Sequence, residues 1–127
     1  MAEGIFNACA AKNGIDAHAF SRGIAAEGGS ASGNAVAAAA EYDADISGHI
    51  SRQLTREDLE RADVVYCMSG THIAAILRVF PEYAEKLAPI SEYGIADPYG
   101  GDMEEYRKAA SQIASAVLMI AADIGGE

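Results

Sequence analysis

The sequence predicts an α/β fold: three layers, with a parallel sheet flanked by helices on both faces. Two observations lead there. Short apolar runs bounded by turn residues alternate with segments whose apolar positions recur at helical spacing. Strands separated by helices return through right-handed crossovers, which makes neighbouring strands parallel. The chain has 127 residues, half of them hydrophobic, enough for one packed core, so a single domain over 1–127 is expected.

The first helix is predicted over Ala2 to Lys12, because Ile5, Phe6, Cys9 and Ala10 share a face and Gly14 can end it. Ala17 to Arg22 reads as a short strand bounded by glycine. Glycine and serine mark a loop from Ile24 to Gly33, and the alanine-rich stretch Asn34 to Tyr42 follows as a helix whose small residues allow close packing. Thr55 with Asp58 resembles a capping box that opens a short helix through Arg61. The β-branched run Val64 to Cys67 behind it is expected to be a buried strand.

Ile73, Ile76, Leu77 and Phe80 stand at i, i+3, i+4 and i+7, which predicts a helix from about Thr71 that Pro81 interrupts, with a brief helical turn through Glu85. Leu87 to Ser91 is a candidate strand. Its Pro89 cannot donate to a ladder, so it belongs at a sheet edge. Asp102 and Glu105 are placed to cap a long last helix with the stripe Tyr106, Ala110, Ile113, Ala114, Val117, Ile120, Ala121 and Ile124, ended by Gly125 and Gly126. Doubly wound folds usually open with a strand and a ligand-binding loop feeding the first helix, whereas this sequence opens in the helix. The domain is therefore expected to be incomplete at its N-terminus.

Nineteen acidic residues against nine basic ones give a formal charge of −10, which repels phosphate backbones and argues against nucleic-acid binding. No apolar run reaches the roughly 18–20 residues of a membrane span, and no basic region with an apolar stretch opens the chain. A cytoplasmic protein without membrane contact is expected. Cys9 and Cys67 lack a C-x-x-C partner, and His18, His49 and His72 are scattered, so neither a disulfide, a metal site nor a cofactor is expected. Gly29 to Gly33 places alanine where a nucleophile elbow needs serine, and no Walker loop is present.

Several segments in order resemble the low-molecular-weight protein tyrosine phosphatases. Met1, Ala2 and Glu3 match the "MAE" with which that family's first helix typically starts, directly after a C-x5-R-S-P phosphate loop. Further matches are Ser21 to Gly23, "NAVAAAAEY" at Asn34 to Tyr42, "DISGHISRQLTREDLERAD" at Asp45 to Asp63, and "DPYGGD" at Asp97 to Asp102. The resemblance implies a sheet of order 2-1-3-4 whose first strand is missing here. The strands beside that gap would then pair directly, accept another chain, or be strained, since unpaired buried backbone groups cost about 1–3 kcal/mol each.

By the same resemblance, Asp97 is the general acid for the leaving group, with Pro98 restricting its backbone; composition alone reads Asp-Pro-Tyr-Gly-Gly as a turn before a helix. Tyr99 resembles the aromatic wall of the substrate cleft. Ser21 and His49 match positions that support the phosphate loop through hydrogen bonds. A nucleophilic cysteine in C-x5-R would require arginine at positions 15 and 73, which hold Ile15 and Ile73, so nucleophile and phosphate-loop arginine are absent and Cys9 and Cys67 are expected to be inert. Ser69 stands where many relatives carry aspartate, and Glu27 to Gly33 offers no aromatic for the cleft's other wall.

The implied function is a phosphomonoester hydrolase acting through a cysteine phosphoenzyme on phosphorylated proteins or small phosphomonoesters, incompetent as the chain stands. The alternatives are a protein arginine phosphatase, to which "SEY" followed by "DPYGG" is equally suited, and a non-catalytic binding protein of the same fold. A homodimer is compatible with either.

Overall fold

The computed structural model describes residues 1–24, 29, 31–92 and 94–125. Its elements run α1 (Ala2–Lys12), α2 (Gly33–Ala40), α3 (Arg56–Arg61), β1 (Val65–Cys67), α4 (Gly70–Val79), a 3₁₀ segment (Pro81–Lys86), β2 (Leu87–Pro89) and α5 (Met103–Gly125). Helices cover both faces of a parallel sheet, as expected for α/β. Gly126, expected to help end α5, lies outside the described residues, as do residues 25–28 and 30 of the loop expected from Ile24 to Gly33. No described helix is long and apolar enough to cross a membrane.

One core layer joins α1 to α5. Ile5, Phe6 and Ala10 pack with Ala109, Ile113, Ala114 and Val117, together with Ile46, Ile90 and Ile95. Gly4 allows α1 to approach the loop after α2 closely, since a Cβ there would stand 2.6 Å from Ile46 Cγ2. The opposite layer is smaller: Leu59 of α3, Cys67 of β1 and Ile76 of α4, with Val65, Phe80 and Leu87 against them.

β1 and β2 pair in parallel with Val65 opposite Leu87 and Cys67 opposite Pro89. Ile90 N–H donates to the Cys67 carbonyl at 2.9 Å. In that register the backbone of Pro89 points away from β1, so its missing N–H removes no ladder bond and the edge position expected for it holds. The strand expected to be buried is buried only in part: Cys67 is, but Val64 is 49% and Tyr66 41% exposed. Only one edge of β1 is paired among the described residues, and side chains that a second neighbour would cover stay open to water.

The strand expected over Ala17 to Arg22 is absent as well. The segment forms no ladder with β1; beyond it, Gly23 makes an isolated parallel bridge with Gln53. A strand is defined by a backbone partner, and the partners here are side chains of α1. α2 also departs from expectation. It starts at Gly33, with Ser32 as a cap accepting the Ala35 N–H, and stops at Ala40 instead of Tyr42. Asp43 adopts φ 62°, and Ala44 N–H reaches back to the Ala39 carbonyl at 3.1 Å, so an aspartate closes the helix where glycine is commoner.

The capping box at α3 forms: Asp58 N–H donates to Thr55 Oγ1, and Thr55 N–H donates to Asp58 Oδ2 at 3.0 Å. The same carboxylate takes Arg22 Nε at 3.0 Å, tying the segment after α1 to α3. Burial pushes the Asp58 carboxyl up, but the Thr55 hydrogen bonds and Arg22 outweigh it and hold its pKa below the ordinary value. A depressed folded-state pKa means that the contribution is complete above the unfolded value of about 3.9 and is lost as pH falls through the lower folded value. Asp58→Ala is expected to destabilise the chain by about 1.5–3 kcal/mol at pH 7, with a smaller deficit near pH 3, read by urea denaturation at the two pH values.

Candidate functional site

Two groups of side chains carry the chemistry that the sequence singled out. The first surrounds the N-terminal turn of α1. Ser21 donates from both its N–H and its hydroxyl to Glu3 Oε1, at 2.7 and 3.2 Å. The other oxygen of Glu3 lies 3.5 Å from His49 Nδ1, an ion pair when the imidazole is protonated. His49 is itself held by its N–H on the Ile46 carbonyl at 3.0 Å. Ser21 and His49 thus both lie against Glu3, which joins them. Glu3, Phe20, Arg22 and His49 line an open pocket of about 620 Å³.

The second group is the loop between β2 and α5. Ile95, buried in the core, donates its N–H to the Met68 carbonyl just past β1 at 2.8 Å. Gly94 makes this docking possible: its φ is +75°, and a Cβ there would lie 3.0 Å from that same carbonyl. Asp97 follows, exposed, with Oδ1 accepting the Tyr99 N–H at 3.0 Å. Pro98 to Gly101 then form a tight turn, with Gly101 N–H on the Pro98 carbonyl at 2.7 Å and Gly100 at φ +80°. A Cβ on Gly101 would come within 2.8 Å of that carbonyl. Asp102 finally accepts the Glu105 N–H at 3.0 Å and caps α5.

The reading of Asp97 to Gly101 as a turn before a helix is therefore correct as structure, and it is compatible with chemistry. One hydrogen bond fixes one oxygen of Asp97 and leaves the other open to solvent. Tyr99 is 88% exposed. Cys67 is buried, and burial pushes its thiol pKa up, away from a nucleophile's requirement. Cys9 is partly buried on α1 beside Asn13.

Sequence reasoning missed Glu3 and Asn7. Both sit on α1 at i and i+4, along one border of the apolar stripe. That spacing was readable, but nothing in it named the segment the pair would bind. Ser69 begins α4 without a side-chain capping bond.

The family model described as low molecular weight phosphotyrosine protein phosphatase matches residues 1–127. A protein-arginine-phosphatase of Bacillus subtilis (strain 168) is 30% identical over 128 residues, covering 95% of this chain and 85% of the relative. One of Geobacillus stearothermophilus is 32% identical over 104 residues, covering 77% and 70%. Among solved structures, a low molecular weight protein tyrosine phosphatase from T. tengcongensis superposes with TM-score 0.88 at 39% identity, over 94% of this chain and 86% of that one.

Gly94→Ala should cost about 1–2 kcal/mol, the strain of a left-handed residue with a side chain, and should release the Ile95 N–H from Met68. Urea denaturation and amide exchange at Ile95 report the two effects.

Proposed function

We propose a phosphomonoesterase role for this chain, which belongs to the low molecular weight phosphotyrosine protein phosphatase family. Its part in the reaction is that of the proton donor and the substrate wall. The observation that carries this reading is the Asp97 loop: an exposed carboxyl, tethered at one oxygen, next to an uncovered tyrosine ring.

Hydrolysis in this family's manner proceeds in two balanced steps. A thiolate attacks phosphorus, an S–P bond forms, and the bond from phosphorus to the leaving oxygen breaks as Asp97 delivers its proton there. Water then attacks phosphorus, the S–P bond breaks, and Asp97 takes the proton back. Ser21 and His49, gathered by Glu3, support the phosphate loop that would supply thiolate and arginine. That C-x5-R loop does not occur among the 127 residues, so Asp97 and Tyr99 alone lack the nucleophile and the charge needed for the equatorial oxygens.

Tyrosine phosphate on proteins is the first substrate class. The flat face of Tyr99 can stack a phosphorylated aryl ring. The arginine reading is the second, and both protein-arginine-phosphatase relatives favour it. A guanidinium plane stacks on an aromatic face as readily as a ring does, so Tyr99 serves either.

The 127-residue chain is expected to leave p-nitrophenyl phosphate unhydrolysed above background; thiol-dependent turnover by it would overturn this division of labour. A chain carrying a hydrophobic strand and a C-x5-R-S-P loop ahead of Met1 should hydrolyse that substrate. In it, Asp97→Asn should lower kcat by about 10²–10⁴-fold and remove the acidic-group dependence of the basic limb. Parallel assays with a phosphotyrosine peptide and a phosphoarginine peptide decide between the two substrate classes.

A further inference from the structure

We infer that Asn7 is the positioning residue that sets the register of the extended segment 17–22, and through it the place of Ser21. The Asn7 amide contacts a single residue twice: Nδ2 donates to the Ala19 carbonyl at 2.9 Å, and Oδ1 accepts the Ala19 N–H at 2.8 Å. These are the two bonds that a neighbouring strand residue would exchange with Ala19. Only a side chain with both a donor and an acceptor can make them, which asparagine and glutamine supply and carboxylates do not.

The next bond falls two residues along. Glu3, one helical turn before Asn7, takes Ser21, two residues after Ala19. Four residues of helix rise about 6.0 Å and two residues of strand about 6.6 Å, so the two side chains meet two successive inward backbone positions. α1 thereby acts as an antiparallel neighbour for the segment at two successive positions. Glu3 cannot set the register by itself. Its carboxylate only accepts, it can swing with the Ser21 N–H and hydroxyl, and it is shared with His49.

Register matters on both faces of the segment. Phe20 lies against the guanidinium groups of Arg22 and Arg61, at 4.8 and 4.6 Å from the ring centroid, while Ala17 and Ala19 pack on the core. A slip of one residue would exchange these faces. A slip of two would carry the Ser21 hydroxyl away from Glu3 and His49. The significance of this for catalysis rests on the proposed role of Ser21; the register does not.

Amide hydrogen exchange by NMR on the 127-residue chain tests the inference. In Asn7→Ala the Ala19 amide should exchange about ten-fold faster, the change expected for loss of an ordinary hydrogen bond, and Ser21 should lose protection too although Glu3 is intact. Asn7→Asp keeps the acceptor and loses the donor, so Ala19 should stay better protected than in the alanine variant. Glu3→Gln, which retains an acceptor for Ser21, should leave Ala19 unchanged. Unchanged exchange at Ala19, a change at Ala19 without one at Ser21, or an equal acceleration at Val117 of α5 would each overturn it. No readout involves turnover, so a failure of the phosphatase reading would leave this result standing.

Discussion

Burial of the apolar stripe of α1 against α5 is the constraint on which the site depends. Ile5, Phe6 and Ala10 fix how α1 is rotated about its axis, and once that angle is set the side bordering the stripe can point only one way. It presents Glu3 and Asn7 to the segment that follows the first turn. Thus an apolar contact with no chemistry of its own decides where a carboxylate stands between Ser21 and His49. α5 serves both ends of this arrangement, because its N-terminus is capped by Asp102, the last residue of the stretch that begins with Asp97.

The helices were legible because their signals are local. The Thr55 and Asp58 pair, the i, i+3, i+4, i+7 pattern of α4 and the long stripe of α5 each need only neighbours in sequence. The strands were not legible to the same degree. A run such as Val64 to Cys67 has the composition of a buried strand, but burial depends on what lies at each edge, and one edge of β1 is unpaired among the described residues. Ala17 to Arg22 failed for the same reason: its extended backbone was foreseeable, its partner was not. α2 ended early because Asp43 took a left-handed conformation that composition assigns to glycine first.

The site divides along the same line. The turn that holds Asp97 and Tyr99 follows from proline and glycine positions that constrain backbone directly, although the roles of both residues came from resemblance. Ser21 and His49 were singled out by resemblance, not by pattern. Glu3 lay inside a matched tripeptide without being recognised as the hub. A polar residue on a helix face is normally solvated, and only tertiary structure separates that case from one in which the face is aimed at another backbone. The contact from Asn7 to Ala19 is such a case.

The two-position match between α1 and the segment 17–22 also contains its own limit. A helix turns by about 40° for every four residues, and its rise falls about 0.6 Å short of two strand residues. By the third position, Ala11, the helix face has rotated away by about 80° and lags by about 1.2 Å. Ala11 is exposed, and Ala17, which it would have to meet, gives its N–H to the Ile15 carbonyl instead. A helix can therefore stand in for a strand over only about one turn before the two periodicities part. Segments satisfied in this way must stay short, and their polar contacts will crowd at one end of the helix, here the end where Glu3 stands.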